Sequence, residues 1–316
     1  MTQTRKNSLI GSVLLALAAI IWGSSFVAQT TGAEHVGPFT FIAMRSLLGS
    51  VALLPVIFVM DTVKKKTRAD EYKKMTKADY KYLLVGGIAC GVVLFAASSL
   101  QQLGIDSGTA PGMAAFITAL YILLVPIFSV VLGKKIRPII WVCVVVSIIA
   151  LYLLCVKEGG RVQMSDLYVL ACAFCFAVHI MVIDKVSPRL DGVRLSTLQF
   201  FVAGVIASVP MLLMEDVTFE ALRAAAPSIA YSGIMSSGIA YTLQILGQQK
   251  TEPTIATMIM SLESVFGVLT AMVVLSQVPT MRETLGCILM FAAIIVAQLP
   301  EKGAKRSFAE RIDNKE

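Results

Sequence analysis

Charge is what this sequence has least of. Asp, Glu, Lys and Arg make up 15% of its 316 residues, while 57% are hydrophobic. A soluble domain carries about 25% charged residues, so too few are present to coat a water-facing surface, and the chain reads as a membrane protein. Histidine is scarce as well, with only His35 and His179. A zinc site needs about four nitrogen or sulfur ligands, so the Cys172-x-x-Cys175 pair is not read as a metal centre, and no metal or cofactor is expected. Cys90, Cys143, Cys155, Cys172, Cys175 and Cys287 all fall inside apolar runs and read as small core residues, not as a disulfide framework. The net charge of +7 would suggest nucleic acid in a soluble protein. Here the bases cluster at the ends of apolar runs, so their meaning is topological and no nucleic-acid partner is expected.

What is present is a series of ten apolar windows. They lie near residues 8 to 29, 37 to 60, 81 to 103, 109 to 132, 138 to 156, 166 to 184, 195 to 214, 226 to 248, 254 to 276 and 281 to 299. At about 20 residues per crossing, ten spans leave no room for a soluble domain. The first has an apolar run too long for a signal peptide and nine more follow it, so it is kept as a span. Lysine and arginine in alternate connections divide 22 to 4, with Arg45 alone inside a span. The positive-inside rule then places the N- and C-termini in the cytoplasm of a multi-pass protein of the cell (plasma) membrane. The run Lys64, Lys65, Lys66, Arg68 reads as a solvated anchor, with anionic lipid as its alternative partner.

The two halves of the chain resemble each other. Ser99-Leu100-Gln101-Gln102-Leu103-Gly104 lies over Thr242-Leu243-Gln244-Ile245-Leu246-Gly247. After a one-residue drop, Thr109, Pro111, Ala114 and Leu120 lie over Thr251, Pro253, Ala256 and Leu262. Upstream, Gly49, Ala52 and Pro55 lie over Gly204, Ala207 and Pro210. Collinear matches argue for duplication of a five-span unit. Five is odd, so the copies cross the bilayer in opposite senses. The expected fold is an all-α polytopic membrane protein, ten transmembrane helices as two inverted five-helix repeats: residues 1–157, residues 158–300, and a cytoplasmic tail over 301–316. Inverted repeats are a recurrent plan of secondary transporters, with the substrate site near the midplane where the halves meet.

At these residues a family resemblance enters. The run Ala18-Ala19-Ile20-Ile21-Trp22-Gly23-Ser24-Ser25-Phe26 resembles the opening motif of the EamA family of the drug/metabolite transporter superfamily. So do Arg45, Leu100-Gln101-Gln102-Leu103-Gly104 and Ser261-Leu262-Glu263, the likeness covering roughly residues 8 to 299. It implies ten helices with both termini inside, a central cavity between the halves, and export of small metabolites or drugs. Span six departs from the family pattern, showing Phe176 and His179 where a tryptophan or tyrosine is usual.

Few polar groups lie inside the spans, and a charge there costs about 2.5 to 3.5 kcal/mol on insertion scales. Glu263 is about 14 Å from the nearer membrane face at 1.5 Å per residue, which makes it a candidate for substrate binding or proton exchange, or a hydrogen-bonded structural group. Arg45, about 12 Å deep, either pairs with Glu263 in a coupling or gating role or snorkels outward. The repeat lays Arg45 over Phe200 and Glu263 over Tyr121, so neither charge is duplicated. It also lays His179 over Ser25. Trp22, Ser25, Tyr121, His179 and Glu263 are therefore the candidate substrate-binding residues, and a neutral hydrogen-bonded role is the other reading for His179 and Tyr121. Gln101 and Gln244, near the ends of spans three and eight, are candidates for capping or gating. Gly108, Pro111, Gly112 and Pro253 open spans four and nine as hinges or as ordinary helix starts.

A secondary transporter exporting amino-acid-like or amphipathic compounds by alternating access accounts for these features together, with protons as a further candidate partner and a homo-oligomer left open. Phosphate-bearing substrates are disfavoured, because they call for two or more cavity cations and only Arg45 is available. The rival from another class is an intramembrane serine hydrolase using Ser24, Ser25, Ser236 or Ser237 with His179. It lacks a G-x-S-x-G sequence, and the expectation is that the protein is not an enzyme.

Overall fold

The computed structural model describes residues 3–67, 75–109, 111–156, 163–274 and 280–299. The tail after 300, Arg68 of the basic run, and Lys157 and Arg161 lie outside them. Every expected span is helical. Span one is Gln3–Ala33, span two Pro38–Thr67 and span three Lys77–Asp106. Span five is Pro138–Cys155, span six Asp166–Val186, span seven Gly192–Met214 and span ten Met281–Gln298. Three spans are composite. Span four is Pro111–Thr118 followed by Tyr121–Val131, and span nine is Pro253–Met260 followed by Leu262–Val274. Span eight runs as α-helix Phe219–Ala230, π-helix Tyr231–Ala240 and α-helix Tyr241–Gln248, beginning earlier than its apolar window suggests. Eight of the described spans, the interrupted span four among them, are long and apolar enough to cross a bilayer, and spans eight and nine complete the ten.

Packing between the halves obeys a twofold exchange. Span two packs along span seven, its own repeat partner, and span five along span ten. Span one packs on spans eight and nine, and span six on spans three and four, each the exchange of the other. Leu54, Phe58, Val131 and Leu213 stay outside on the lipid-facing surface.

The self-paired spans are tied at their ends. Glu215, after span seven, accepts hydrogen bonds from Phe39 N at 2.8 Å, Thr40 N at 2.7 Å and Thr40 Oγ1 at 2.6 Å, capping the start of span two. At the opposite end Asp61 of span two pairs with Arg194 of span seven at 2.6 Å. Arg137, before span five, donates to the carbonyls of Ala297 and Leu299 at the end of span ten. Arg282 in span ten returns the contact to Tyr152 O of span five at 3.4 Å. Cationic groups at helix C-termini satisfy orphan carbonyls and oppose the helix dipole.

The other spans meet across seams built on glycine. A Cβ at Gly104 would stand 2.4 Å from Val169 Cγ2 and 3.3 Å from Ser165 O. At Gly247, its repeat partner, a Cβ would stand 2.6 Å from Leu15 Cγ and 3.1 Å from Gly11 O. Leu15 and Gly11 are the repeat partners of Val169 and Ser165, so one contact closes both ends of the bundle. The first seam carries an added bond, Thr109 Oγ1 to Asp166 Oδ1 at 3.0 Å.

Candidate functional site

The interruptions in spans four and nine fall at matching positions, Ala119-Leu120 and Ser261. In span four the ladder tightens to three-residue spacing, with Leu120 N on Ile117 O at 3.1 Å and Ile122 N on Ala119 O at 3.0 Å. In span nine Ser261 Oγ donates to Thr257 O at 2.9 Å, a back-bond that bends helices. Tyr121 and Glu263 stand at the starts of the second half-helices, and they touch: Tyr121 OH donates to Glu263 Oε1 at 3.3 Å. Residues exchanged by a twofold axis can touch each other only beside that axis. This pair therefore marks the centre of the molecule, and a close approach brings it there. A Cβ on Gly23 of span one would lie 2.6 Å from Glu263 O and 2.7 Å from Gly267 N.

Around the pair lies a small cavity of about 50 Å³. Its lining is drawn from both repeats, and largely from equivalent positions. Trp22 with Phe176, Phe26 with Ile180, Gln101 with Gln244, Thr118 with Met260, and Tyr121 with Glu263 are repeat partners that all face it. Ser25, Gln29, Arg45, Ser236 and Tyr241 complete the wall. Apart from Trp22, which is partly exposed, these side chains are buried.

Trp22, Ser25, Tyr121 and Glu263 line this one cavity, as do Arg45, Gln101 and Gln244. His179 does not. It is fully buried behind Tyr241, with ring centroids 6.2 Å apart, and its Nε2 lies 3.1 Å from Gln199 Oε1. The repeat correctly lays it over Ser25, but the Tyr241 ring fills the space between it and the cavity. Neither does His179 hydrogen-bond to Ser24, Ser25, Ser236 or Ser237: Nε2 is held by Gln199 and Nδ1 has no partner. The geometry a serine nucleophile needs, a base about 3 Å away, is not present at these residues. Arg45 and Glu263 share the cavity without an ion pair, since no carboxylate among the described residues lies within 4.0 Å of the guanidinium. Instead Arg45 Nη1 donates to Gln29 Oε1 at 3.4 Å, and its guanidinium stands 5.8 Å from the Phe41 ring centroid.

Gln29, Thr118, Ile180, Tyr241 and Met260 are lining residues that reasoning from sequence did not name, and Ser236 was named only as a hydrolase nucleophile. Tyr241 packs edge-on against Trp22 at 4.9 Å and Phe200 at 5.0 Å. Its repeat partner Ser98 does not line the cavity, so the repeat carried no signal for it. Ser236 belongs to the π-helical turns of span eight, whose wider winding recurs at functional sites; at their start, Ser24 Oγ of span one meets Tyr231 OH.

The repeats differ in chemistry around the site. Ser25, Arg45 and Ser98 in the first repeat correspond to His179, Phe200 and Tyr241 in the second, and of these Ser25, Arg45 and Tyr241 line the cavity.

Comparison with known proteins agrees with this architecture. The profile of the EamA-like transporter family matches residues 9–156 and 163–298. An uncharacterized transporter of Archaeoglobus fulgidus is 27% identical over 288 residues, 90% of this chain and 84% of that protein. The uncharacterized transporter YwfM of Bacillus subtilis is 22% identical over 298 residues, 93% of this chain and 95% of that protein. A solved crystal structure superposes with a TM-score of 0.71 at 17% identity, covering 91% of this chain and 96% of that one, which is a likeness of fold.

Proposed function

The chain belongs to the EamA-like transporter family, and from that premise we propose that it exports small zwitterionic or amphipathic metabolites across the plasma membrane by alternating access, coupled to protons through Glu263. Both termini are cytoplasmic in this reading, as the 22 to 4 division of basic residues implies. The observation that carries it is the cavity itself, lined by repeat-equivalent residues of both halves around a single carboxyl.

Spans two and seven and spans five and ten also meet across glycines, at Gly204 against Leu47 and Gly286 against Leu154, so the mechanism divides the bundle by the polar ties at its ends. Spans two and seven, and five and ten, are tied end to end by carboxylates and arginines and act as a frame. Spans one, three, four, six, eight and nine meet across the glycine seams and carry the interruptions at Tyr121 and Glu263. Opening one seam while the other stays closed exposes the cavity to one face at a time. Two near-equivalent packings of duplicated units keep the two open states similar in energy. Glu263 is acidic with no duplicate and no basic partner in the closed cavity, so an excursion toward water on one face and enclosure on the other changes its proton occupancy and can drive the cycle.

Purified protein in liposomes under an imposed pH gradient tests this reading. Wild type should accumulate substrate uphill, and Glu263→Gln should lose accumulation while keeping downhill exchange. Uphill transport at the wild-type rate by Glu263→Gln would assign the residue a structural role. The substrate pool itself is read from a metabolite profile of medium from cells with and without overexpression.

A further inference from the structure

The cavity contains a buried cation with no ion-paired carboxylate among the described residues. This is Arg45, 4% exposed. Its Nε has no hydrogen-bond partner, and its Nη1 bond to Gln29 is long at 3.4 Å. An uncompensated buried charge costs several kcal/mol, which an arriving anion would relieve. Two more buried groups beside it are also unpartnered, Trp22 Nε1 and Ser25 Oγ. Trp22, Ser25 and Gln29 follow one another at helical spacing along a single face of span one, which is the face turned to the cavity. Gln29 is the residue that holds Arg45. Three unsatisfied donors from two spans therefore belong to the wall of one cavity.

We propose that Trp22 Nε1, Ser25 Oγ and the Arg45 guanidinium form a subsite that binds the carboxylate of the transported molecule, with its apolar part against the rings of Phe176 and Tyr241. The subsite rests on the reading of the cavity as a transporter's substrate site and goes further, fixing which end of the ligand points where. A carboxylate fits better than a phosphate group. Phosphate recognition favours several cations, whereas this cavity offers one arginine and sets Glu263 against a second negative charge. A ligand carrying an amine beside the carboxylate meets both fixed groups, the carboxylate at Arg45 and the ammonium at Glu263.

The chain has two tryptophans, Trp22 and Trp141, so Trp141→Phe leaves Trp22 as the fluorescent reporter inside the subsite. Purified protein would be titrated with L-leucine, L-phenylalanine, their C-terminal amides and inorganic phosphate. The amino acids should shift Trp22 emission saturably, each at least tenfold tighter than its amide, with phosphate weaker still. Arg45→Gln should bring acid and amide to equal affinity. Ser25→Ala, a milder change for a fold that depends on a buried arginine, should weaken the acid several-fold and leave the amide unmoved. Glu263→Gln should weaken acid and amide together and preserve their ratio. Equal binding of acid and amide by wild type, or discrimination that survives Arg45→Gln, overturns the subsite while leaving the transporter reading intact. Tightest binding of phosphate overturns the choice of carboxylate. No saturable response to any amino acid or amide overturns the zwitterion reading, and the subsite with it.

Discussion

Adding a single methyl group at Gly247 should unbalance the transport cycle in a known direction. In the closed structure the Cβ of Gly247→Ala would lie 2.6 Å from Leu15 Cγ and 3.1 Å from Gly11 O. Carbon atoms pack best at about 3.5 to 4.0 Å, so spans one and eight must separate by about 1 Å. Overpacking of this kind costs about 1 to 3 kcal/mol. Alanine's better helix propensity, about 1 kcal/mol over glycine, applies equally to open and closed states and cancels from the difference. The closed state at that end should therefore lose about 5- to 150-fold in relative population. Gly104→Ala provides the mirror experiment, because its Cβ would meet Val169 Cγ2 at 2.4 Å in the other seam. Hydrogen exchange read by mass spectrometry separates the two. Gly247→Ala should speed exchange in peptides covering residues 8–16 and 245–252, and Gly104→Ala in those covering 100–109 and 165–170. If both variants accelerate the same peptides, or the whole protein exchanges faster, the seams are not independent gates and the exchange symmetry has been misread.

Reporter fusions after residues 135 and 310 should read cytoplasmic and a fusion after 216 external; an external C-terminus would invert the assigned topology. Tyr121→Phe removes the hydroxyl that donates to Glu263 and little volume, so transport should fall about tenfold, as expected for a lost bond of roughly 1.5 kcal/mol, with the thermal midpoint nearly unchanged. Unaltered transport would leave the central pair without a role. Glu215→Ala strips three hydrogen bonds from the start of span two and should cost about 1 to 2 kcal/mol, seen as a thermal midpoint lowered by a few degrees. An unchanged midpoint would show that this end of the frame is held by packing alone.

The crossings, the duplication and the opposed sense of the halves are legible in the sequence because each depends on one-dimensional quantities. Apolar run length sets a crossing, the parity of the count sets inversion, and matched strings such as Leu100-Gln101-Gln102-Leu103-Gly104 set the repeat. Depth along a span is also one-dimensional, which is why Glu263, Tyr121, Trp22, Ser25 and Arg45 could be named as midplane or cavity candidates.

Azimuth and contact are another matter, and only the tertiary structure decided them. Counting residues set Arg45 and Glu263 at similar depths, yet span two packs on spans seven and eight while Glu263 in span nine lies against span one, and the two side chains do not pair. His179 matches Ser25 in the repeat, yet the Tyr241 ring stands between it and the cavity, because a bulky aromatic at the position of Ser98 fills what would otherwise be open space. The π-helical turns of span eight fall in a Ser- and Gly-rich stretch of weak helix formers, Tyr231–Ala240, but the interruptions at Ala119-Leu120 and Ser261 have no glycine or proline at the break. What bends them is a few hydrogen bonds exchanged for others of similar energy, a choice settled by neighbouring helices and not by the segment's own sequence.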